Sequence, residues 1–296
     1  MRVGSLLGVP VKINVWFLVT LLALALLGLL PQSLVLFISV LIHELAHSLA
    51  ARAYGLRAEE VELLPFGGVA KIEDLGALDP EVEKTIAMAG PAASLFLAAL
   101  SWAVQNDWPL YPEILVYGVF GNLALATVNL LPALPLDGGR ILRAYLAGSL
   151  GYRRATQIAL ISARVWSVAL ICGGAYLLYL GTGNLSIPVA GIFLWFAAKK
   201  EEFYSRYLFV RYITRRRAEL GKRGPRPVES LLCSYQTPVK EVVRYFLPQR
   251  YHLVYLLGQN KELLGYVTEL EIIEALLNQG LDIPLADLPV HPLGRE

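Results

Sequence analysis

The run LVLFISVLIHELAHSLAARAY, Leu34 to Tyr54, is long and apolar enough to cross a bilayer, yet its second half carries His43, Glu44 and His47. A charged side chain near the bilayer centre costs about 2.5–3.5 kcal/mol on insertion scales. Something must offset that cost. On a helix, His43 and His47 lie one turn apart on one face, so two imidazoles can ligate a single metal ion. Glu44 follows the first histidine and can reach water at that metal. The competing reading is that the three are bundle-interior polar residues that hold helices together.

Working outward, the whole chain shares this apolar character. Its 296 residues are 56% hydrophobic and 17% charged, and the mean hydropathy is +0.53. That excludes an ordinary soluble domain and predicts a polytopic helical membrane protein. Six apolar segments can be read: Val15–Leu30, Leu34–Tyr54, Thr85–Val104, Ile114–Leu131, Ile158–Leu180 and the shorter Leu185–Ala198. Lys and Arg alternate between the connections. Residues 31–33, 105–113 and 181–184 have none, whereas 55–84 hold Arg57, Lys71 and Lys84, and 132–157 hold Arg140, Arg143, Arg153 and Arg154. The positive-inside rule then predicts six spans with both termini in the cytoplasm. Arg164 breaks the pattern inside the fifth segment. It either snorkels to the cytoplasmic surface or pairs with an intramembrane carboxylate. No cleavage site follows the first apolar run. The two cysteines, Cys172 and Cys233, suggest neither a disulfide framework nor a cysteine zinc site.

Two segments are not plain connectors. VELLPFGGVAKIE, Val61–Glu73, has two strand-like runs around Gly67-Gly68 and reads as a hairpin. Lys199–Arg226 is basic and interleaved with aromatics, as expected of a helix lying on an anionic leaflet. Its direct tether to a span argues against nucleic acid. The predicted layout is a membrane domain over 1–198, a basic amphipathic linker over 199–227, and a small cytoplasmic α+β domain over 228–296. In the last, TPVKEVVRYF reads as a turn and helix, YHLVYLLG and LLGYVT as strands, and ELEIIEALLNQG as a helix ended by Gly280.

H-E-x-x-H on a helix is a metalloprotease pattern, two zinc ligands and a general base. Two of only four histidines fall in it. A catalytic zinc site needs a third protein ligand and an open position. The candidate is Asp137 in NLLPALPLDGGRIL, Asn129–Leu142, at the cytoplasmic end of the fourth segment. Pro132 and Pro135 break the helix there, and such backbone is tolerated at membrane depth only when buried in protein or lining a cavity. Gly138 and Gly139 allow a tight turn behind the carboxylate. From the residues alone, Asp137 is either a ligand or the N-cap of the helix that follows.

HELAH, LLPFGG, AGPAAS (Ala89–Ser94) and NLLPALPLDGGR, in this order, resemble the site-2 protease family of intramembrane zinc metalloproteases, most closely its bacterial sporulation-type branch. The resemblance implies that His43, His47 and Asp137 ligate Zn2+ and that Glu44 is the catalytic acid/base. It implies six transmembrane helices with a small membrane-associated sheet, and a membrane-tethered protein substrate, a pro-sigma factor or another signalling protein. Inhibitory membrane proteins are implied by the same analogy. Asn129 matches a family position that contacts substrate or oxyanion, and a buried helix-end hydrogen bond is the equal alternative. Asn122 reads as structural glue between helices. Ser94 stands where many members have Asn, and Asn14 where many have His, so no zinc role is given to Asn14.

TPVKEVV and LLGYVTELEIIEAL resemble a single cystathionine-β-synthase-type (CBS) motif. The resemblance implies adenine-nucleotide contacts from Thr268 and Glu271, with ATP or a related nucleotide as regulator. One copy per chain implies a homo-oligomer, and a purely structural module is the other reading. Two further classes compete with the protease: a nucleotide-regulated membrane transporter and a non-proteolytic zinc membrane protein. A zinc triad rather than a polar lining argues against the first. Retention of Glu44 argues against the second.

Overall fold

Every apolar run of the sequence forms a helix. The computed structural model describes residues 2–64, 67–72, 79–105, 112–219, 227–247, 250–280 and 282–293. Its helices are α1 (Val15–Leu26), α2 (Leu30–Ala53), α3 (Pro80–Val104), α4 (Pro112–Asn129), α5 (Asp137–Leu150), α6 (Tyr152–Tyr179) and α7 (Ser186–Glu219). By length and composition α2, α3 and α6 can cross a membrane, and α1 and α4 are shorter apolar helices. The sixth apolar segment and the basic linker form one helix, α7, of 34 residues. Residues 220–226 of the linker, and Pro65, Phe66 and Glu73 of the hairpin motif, lie outside the described residues.

Side-chain size is inverted relative to a water-soluble core. Many buried positions on the helices are small, Ala51, Ala98, Ala126, Ala159, Ala163, Ser39, Ser48, Ser94 and Ser167 among them, beside a few large ones such as Phe17, Ile86 and Leu194. Large apolar groups, Trp16, Phe96, Trp102, Phe120, Phe193 and Phe196 among them, point outward. Lipid tails are as apolar as a leucine side chain, so small residues go where helices must approach closely and large ones face the acyl chains.

The chain divides into two compact units. The first comprises Met1–Leu75, Glu81–Leu142 and Ala159–Ala198. It contains a four-stranded sheet of order β1-β2-β3-β4, from β1 (Arg2–Leu6), β2 (Val9–Ile13), β3 (Ala58–Leu64) and β4 (Gly67–Ile72). The predicted hairpin is β3–β4, antiparallel with Val61 opposite Ala70 and Leu63 opposite Gly68. The first two strands were not expected. They join through Leu7 and Gly8, both at positive φ, which suits a two-residue hairpin loop. β2 then pairs with β3 in parallel. The alternation of VPVKI was the signal for β2. Val9 and Val61 pack on Leu45 of α2, next to Glu44, and the Arg52 guanidinium donates to the carbonyls of Leu7 (2.6 Å) and Gly8 (2.9 Å). Asn14 caps α1, accepting from the Trp16 N–H at 3.0 Å and donating to Glu62 Oε1 at 3.2 Å.

The second unit comprises Gly76–Pro80, Arg143–Ile158 and Lys199–Glu296. Its sheet, β5 (Val228–Ser234), β6 (Tyr251–Leu257) and β7 (Leu263–Thr268), packs against α9 (Glu269–Asn278), while α8 (Val239–Val242) and a 3-10 turn precede β6. β5, not expected from the sequence, pairs in parallel with β6. The core is conventional, with Val239, Phe246, Leu256, Val267, Ile272 and Ile273 inside. Tyr152, from the start of α6, belongs to the same core.

Candidate metal centre

Helix α2 places His43 and His47 one turn apart, and both rings are buried. The third group arrives from the break between α4 and α5. Pro132 and Pro135 prevent a regular helix there, and the broken backbone is covered: Ala133 and Leu134 are fully buried, and the Ser162 hydroxyl of α6 donates to the Pro132 carbonyl. A Cβ on Gly138 would fall 2.2 Å from the Leu130 carbonyl oxygen, and one on Gly139 would fall 2.3 Å from the Leu134 nitrogen. The two glycines therefore serve close packing of this loop on the first turn of α5, whose first residue is Asp137.

Asp137 Oδ2 lies 3.1 Å from the Nε2 of both His43 and His47, and the two Nε2 atoms lie 3.2 Å apart. Bonds of about 2.0–2.1 Å to a tetrahedral zinc put ligand atoms about 3.3 Å apart, close to the observed triangle. Two imidazole nitrogens and a carboxylate oxygen are also a zinc donor set.

Protons sharpen the fit. His47 Nδ1 lies 2.7 Å from the Ile86 carbonyl oxygen. That oxygen can only accept, so the proton sits on Nδ1, and Nε2 of the neutral ring carries a lone pair. This lone pair faces a carboxylate oxygen and a second imidazole nitrogen. A cation between them would satisfy all three, and the residues present fit a zinc ion.

Glu44, the next residue on α2, is half-buried. Strand β4 runs beside it: a Cβ on Gly68 would lie 2.6 Å from Glu44 Cγ. Only a glycine lets the strand approach the carboxylate so closely. Helix α3 closes another side, where a Cβ on Gly90 would lie 2.2 Å from His47 Nε2 and 2.6 Å from His43 Nε2. The Ser94 hydroxyl of the same helix lies 2.9 Å from His43 Nδ1. Sequence reasoning missed the parts played by Ile86, Gly90 and Gly68 and left Ser94 without one. Their four-residue spacing on one face of α3 was the available signal for Ile86, Gly90 and Ser94.

The remaining candidates stand elsewhere. The Asn129 amide donates to the Leu125 carbonyl one turn back, at 3.0 Å, on the last residue of α4. Asn122 joins helices, donating to Ser39 Oγ of α2 at 2.9 Å. Thr268 and Glu271 lie in the second unit as a capping box on α9. Glu271 Oε2 accepts from the Thr268 N–H (2.8 Å) and hydroxyl (2.7 Å), and its Oε1 lies 2.7 Å from His291 Nε2. Burial opposes ionisation of Glu271, but the Thr268 and His291 hydrogen bonds outweigh it and hold its carboxyl below the usual range.

The sequence matches peptidase family M50 over residues 31–109 and 106–172. It is 31% identical over 280 residues to a zinc metalloprotease of Methanocaldococcus jannaschii, covering 90% of this chain and 77% of that one. It is also 31% identical over 212 residues to stage IV sporulation protein FB of Bacillus subtilis, covering 71% of this chain and 73% of that protein. The fold is similar to the solved site-2 protease of M. jannaschii, with a TM-score of 0.53 and 31% identity over 68% of this chain and 94% of that one. Together with a buried His-His-Asp cluster that could hold a metal ion, these place the chain in peptidase family M50, as a membrane zinc metalloprotease of the site-2 protease type.

Proposed function

We propose that the chain is an intramembrane endopeptidase that cuts a membrane-tethered protein near the cytoplasmic face, in a bundle of six spans with both termini in the cytoplasm. The observation that carries this is the meeting of His43 Nε2, His47 Nε2 and Asp137 Oδ2 within a triangle of 3.1–3.2 Å, with Glu44 on the adjoining helix position. In this reading His43, His47 and Asp137 hold the zinc ion. Zinc bound there supplies Lewis acidity, polarising the scissile carbonyl and lowering the pKa of a water to about 7. Glu44 takes the proton from the attacking water and passes it to the leaving amine. Asn129 remains a candidate substrate or oxyanion contact, although its observed bond is the helix-end one.

A helical substrate must unwind before attack, because its peptide groups are tied up in its own hydrogen bonds. Strand β4 is one of the two edge strands of the sheet and runs past Glu44, so an extended peptide added to it would lie beside the general base. Proline placed where a β4 N–H faces outward should lower cleavage and leave zinc content intact; unaltered cleavage would remove the clamp. Similarity to the sporulation protein favours a pro-sigma factor or other signalling protein as substrate, with inhibitory membrane proteins as partners. The second unit is read as a CBS-like regulatory or dimerising module. An adenine nucleotide contacting Thr268 and Glu271 would have to compete with their capping box.

Glu44→Gln tests the central assignment. Zinc per chain should match wild type, while cleavage of a tethered substrate falls about 10²- to 10⁴-fold. Cleavage at the wild-type rate would overturn it.

A further inference from the structure

We propose that Ser94 is a positioning residue of the metal centre: its hydroxyl accepts the Nδ1 proton of His43 and thereby turns the Nε2 lone pair of that ring toward the zinc. The proposal rests on the reading of His43, His47 and Asp137 as ligands. Its basis is an asymmetry between the two histidines. The tautomer of His47 is set by a main-chain carbonyl, Ile86, at 2.7 Å. No side-chain substitution removes that acceptor.

Among the described residues, no main-chain carbonyl does this for His43. Its Nδ1 faces Ser94 Oγ at 2.9 Å, and a hydroxyl can donate or accept. Left to itself, the ring could carry its proton on Nε2 and give it to Asp137 Oδ2, 3.1 Å away. That tautomer has no lone pair on Nε2 to offer a metal. Ser94 is fully buried, so no bulk water competes for Nδ1. A metal at Nε2 forces the proton to Nδ1, and among the described residues the Ser94 hydroxyl is the acceptor within reach. Burying an N–H without an acceptor is costly, and that cost would fall on the metal-loaded form.

The geometry makes α3 a template. Ile86, Gly90 and Ser94 recur every four residues on one face. The first orients one ring, the last orients the other, and between them Gly90 leaves the space where both Nε2 atoms converge, since a Cβ there would meet each at 2.2 and 2.6 Å. Outer hydrogen bonds of this kind typically change metal affinity by about 10- to 100-fold.

The test uses the full chain in detergent. Zn2+ affinity is measured against a competing chelator, and Co2+ visible absorption reports the ligand field, for wild type, Ser94→Ala, Ser94→Thr and Asp137→Ala. Ser94→Ala should bind about 10- to 100-fold more weakly, with shifted Co2+ bands, and Ser94→Thr should restore both because it keeps the hydroxyl. Thermal unfolding of the metal-free variants separates this from misfolding, and metal-free Ser94→Ala should match wild type. Unchanged affinity and bands in Ser94→Ala, with binding lost in Asp137→Ala, would overturn the proposal and leave the metal reading standing. Equal weakening in Ser94→Ala and Ser94→Thr would overturn the hydroxyl's role. Full affinity in Asp137→Ala would overturn the underlying ligand assignment, and the proposal with it.

Discussion

The molecule buries a histidine next to a carboxylate twice, and the two clusters meet the cost of burial in opposite ways. In the second unit, His252 and Glu269 are both fully buried. His252 Nδ1 lies 2.9 Å from Glu269 Oε2, its Nε2 accepts from the Leu247 N–H at 3.1 Å, and Oε2 also accepts from the His252 N–H at 2.8 Å. Phe246 stacks on the ring at 4.6 Å. Both ring nitrogens and Glu269 Oε2 meet partners of the opposite kind, so the ring is satisfied without a cation. At the His43, His47 and Asp137 cluster, the lone pair on His47 Nε2 faces a carboxylate oxygen at 3.1 Å and a second imidazole nitrogen at 3.2 Å, and a cation between them would satisfy all three. Both places bring imidazole against a carboxylate. What separates a metal centre from a structural pair is the count of protons, which depends on what sits behind each ring.

The sharpest way to break this comparison is to remove one histidine from each cluster. His47→Ala should abolish zinc retention and reduce cleavage to background. His252→Ala should leave zinc at the wild-type ratio while weakening hydrogen-exchange protection across β6 and β7. Zinc lost equally from both variants, measured by metal analysis of the purified chain, would erase the distinction. A smaller effect is expected from glycine substitutions on two helices. Gly90→Ala pushes a methyl into the Nε2 atoms of His43 and His47 and, if these hold zinc as proposed, should weaken its binding at least tenfold. Gly148→Ala, with nothing within 4 Å of the new carbon, should leave zinc unchanged and stabilise α5 by about 1 kcal/mol. Equal zinc affinities in a chelator titration would show that the close approach of α3 is not obligatory. The smallest change belongs to Thr268→Ala. Loss of the N-cap should cost about 1 kcal/mol, seen as faster exchange in α9 of the full chain, with zinc and cleavage unaltered. ATP binding to the wild-type chain that is lost in this variant would favour the nucleotide role over the capping role.

The two units also differ in how their cores are filled. Alanine and serine line the helix contacts of the first, as Ala133, Ala163 and Ala198 do around Leu194, whereas Val, Ile, Leu and Phe fill the second. The hydrophobic effect drives the latter. Among lipid tails that drive is absent between helices, and close backbone approach takes its place. Helix positions were therefore legible from apolar runs, but not which faces meet, because the mean apolarity of a lipid-facing helix is nearly the same all round.

By itself the sequence determined the six apolar helices, the β3–β4 hairpin, the strands β6 and β7, and the candidates His43, Glu44, His47 and Asp137. These follow from local rules: run length, turn residues, helical spacing and the expense of polar groups in an apolar run. Tertiary structure alone decided that Asp137 closes the triangle with the two histidines, and that Gly68 and Gly90 are glycines because a strand and a helix press on Glu44 and on the two Nε2 atoms. It also decided that β1, β2 and β5 complete the sheets and that Tyr152 belongs to the core of the second unit. The reason is physical. Periodicity and burial cost are written into neighbouring residues, whereas the partner behind an imidazole ring, and hence the nitrogen that keeps its lone pair, is set by groups that only packing brings within 3 Å.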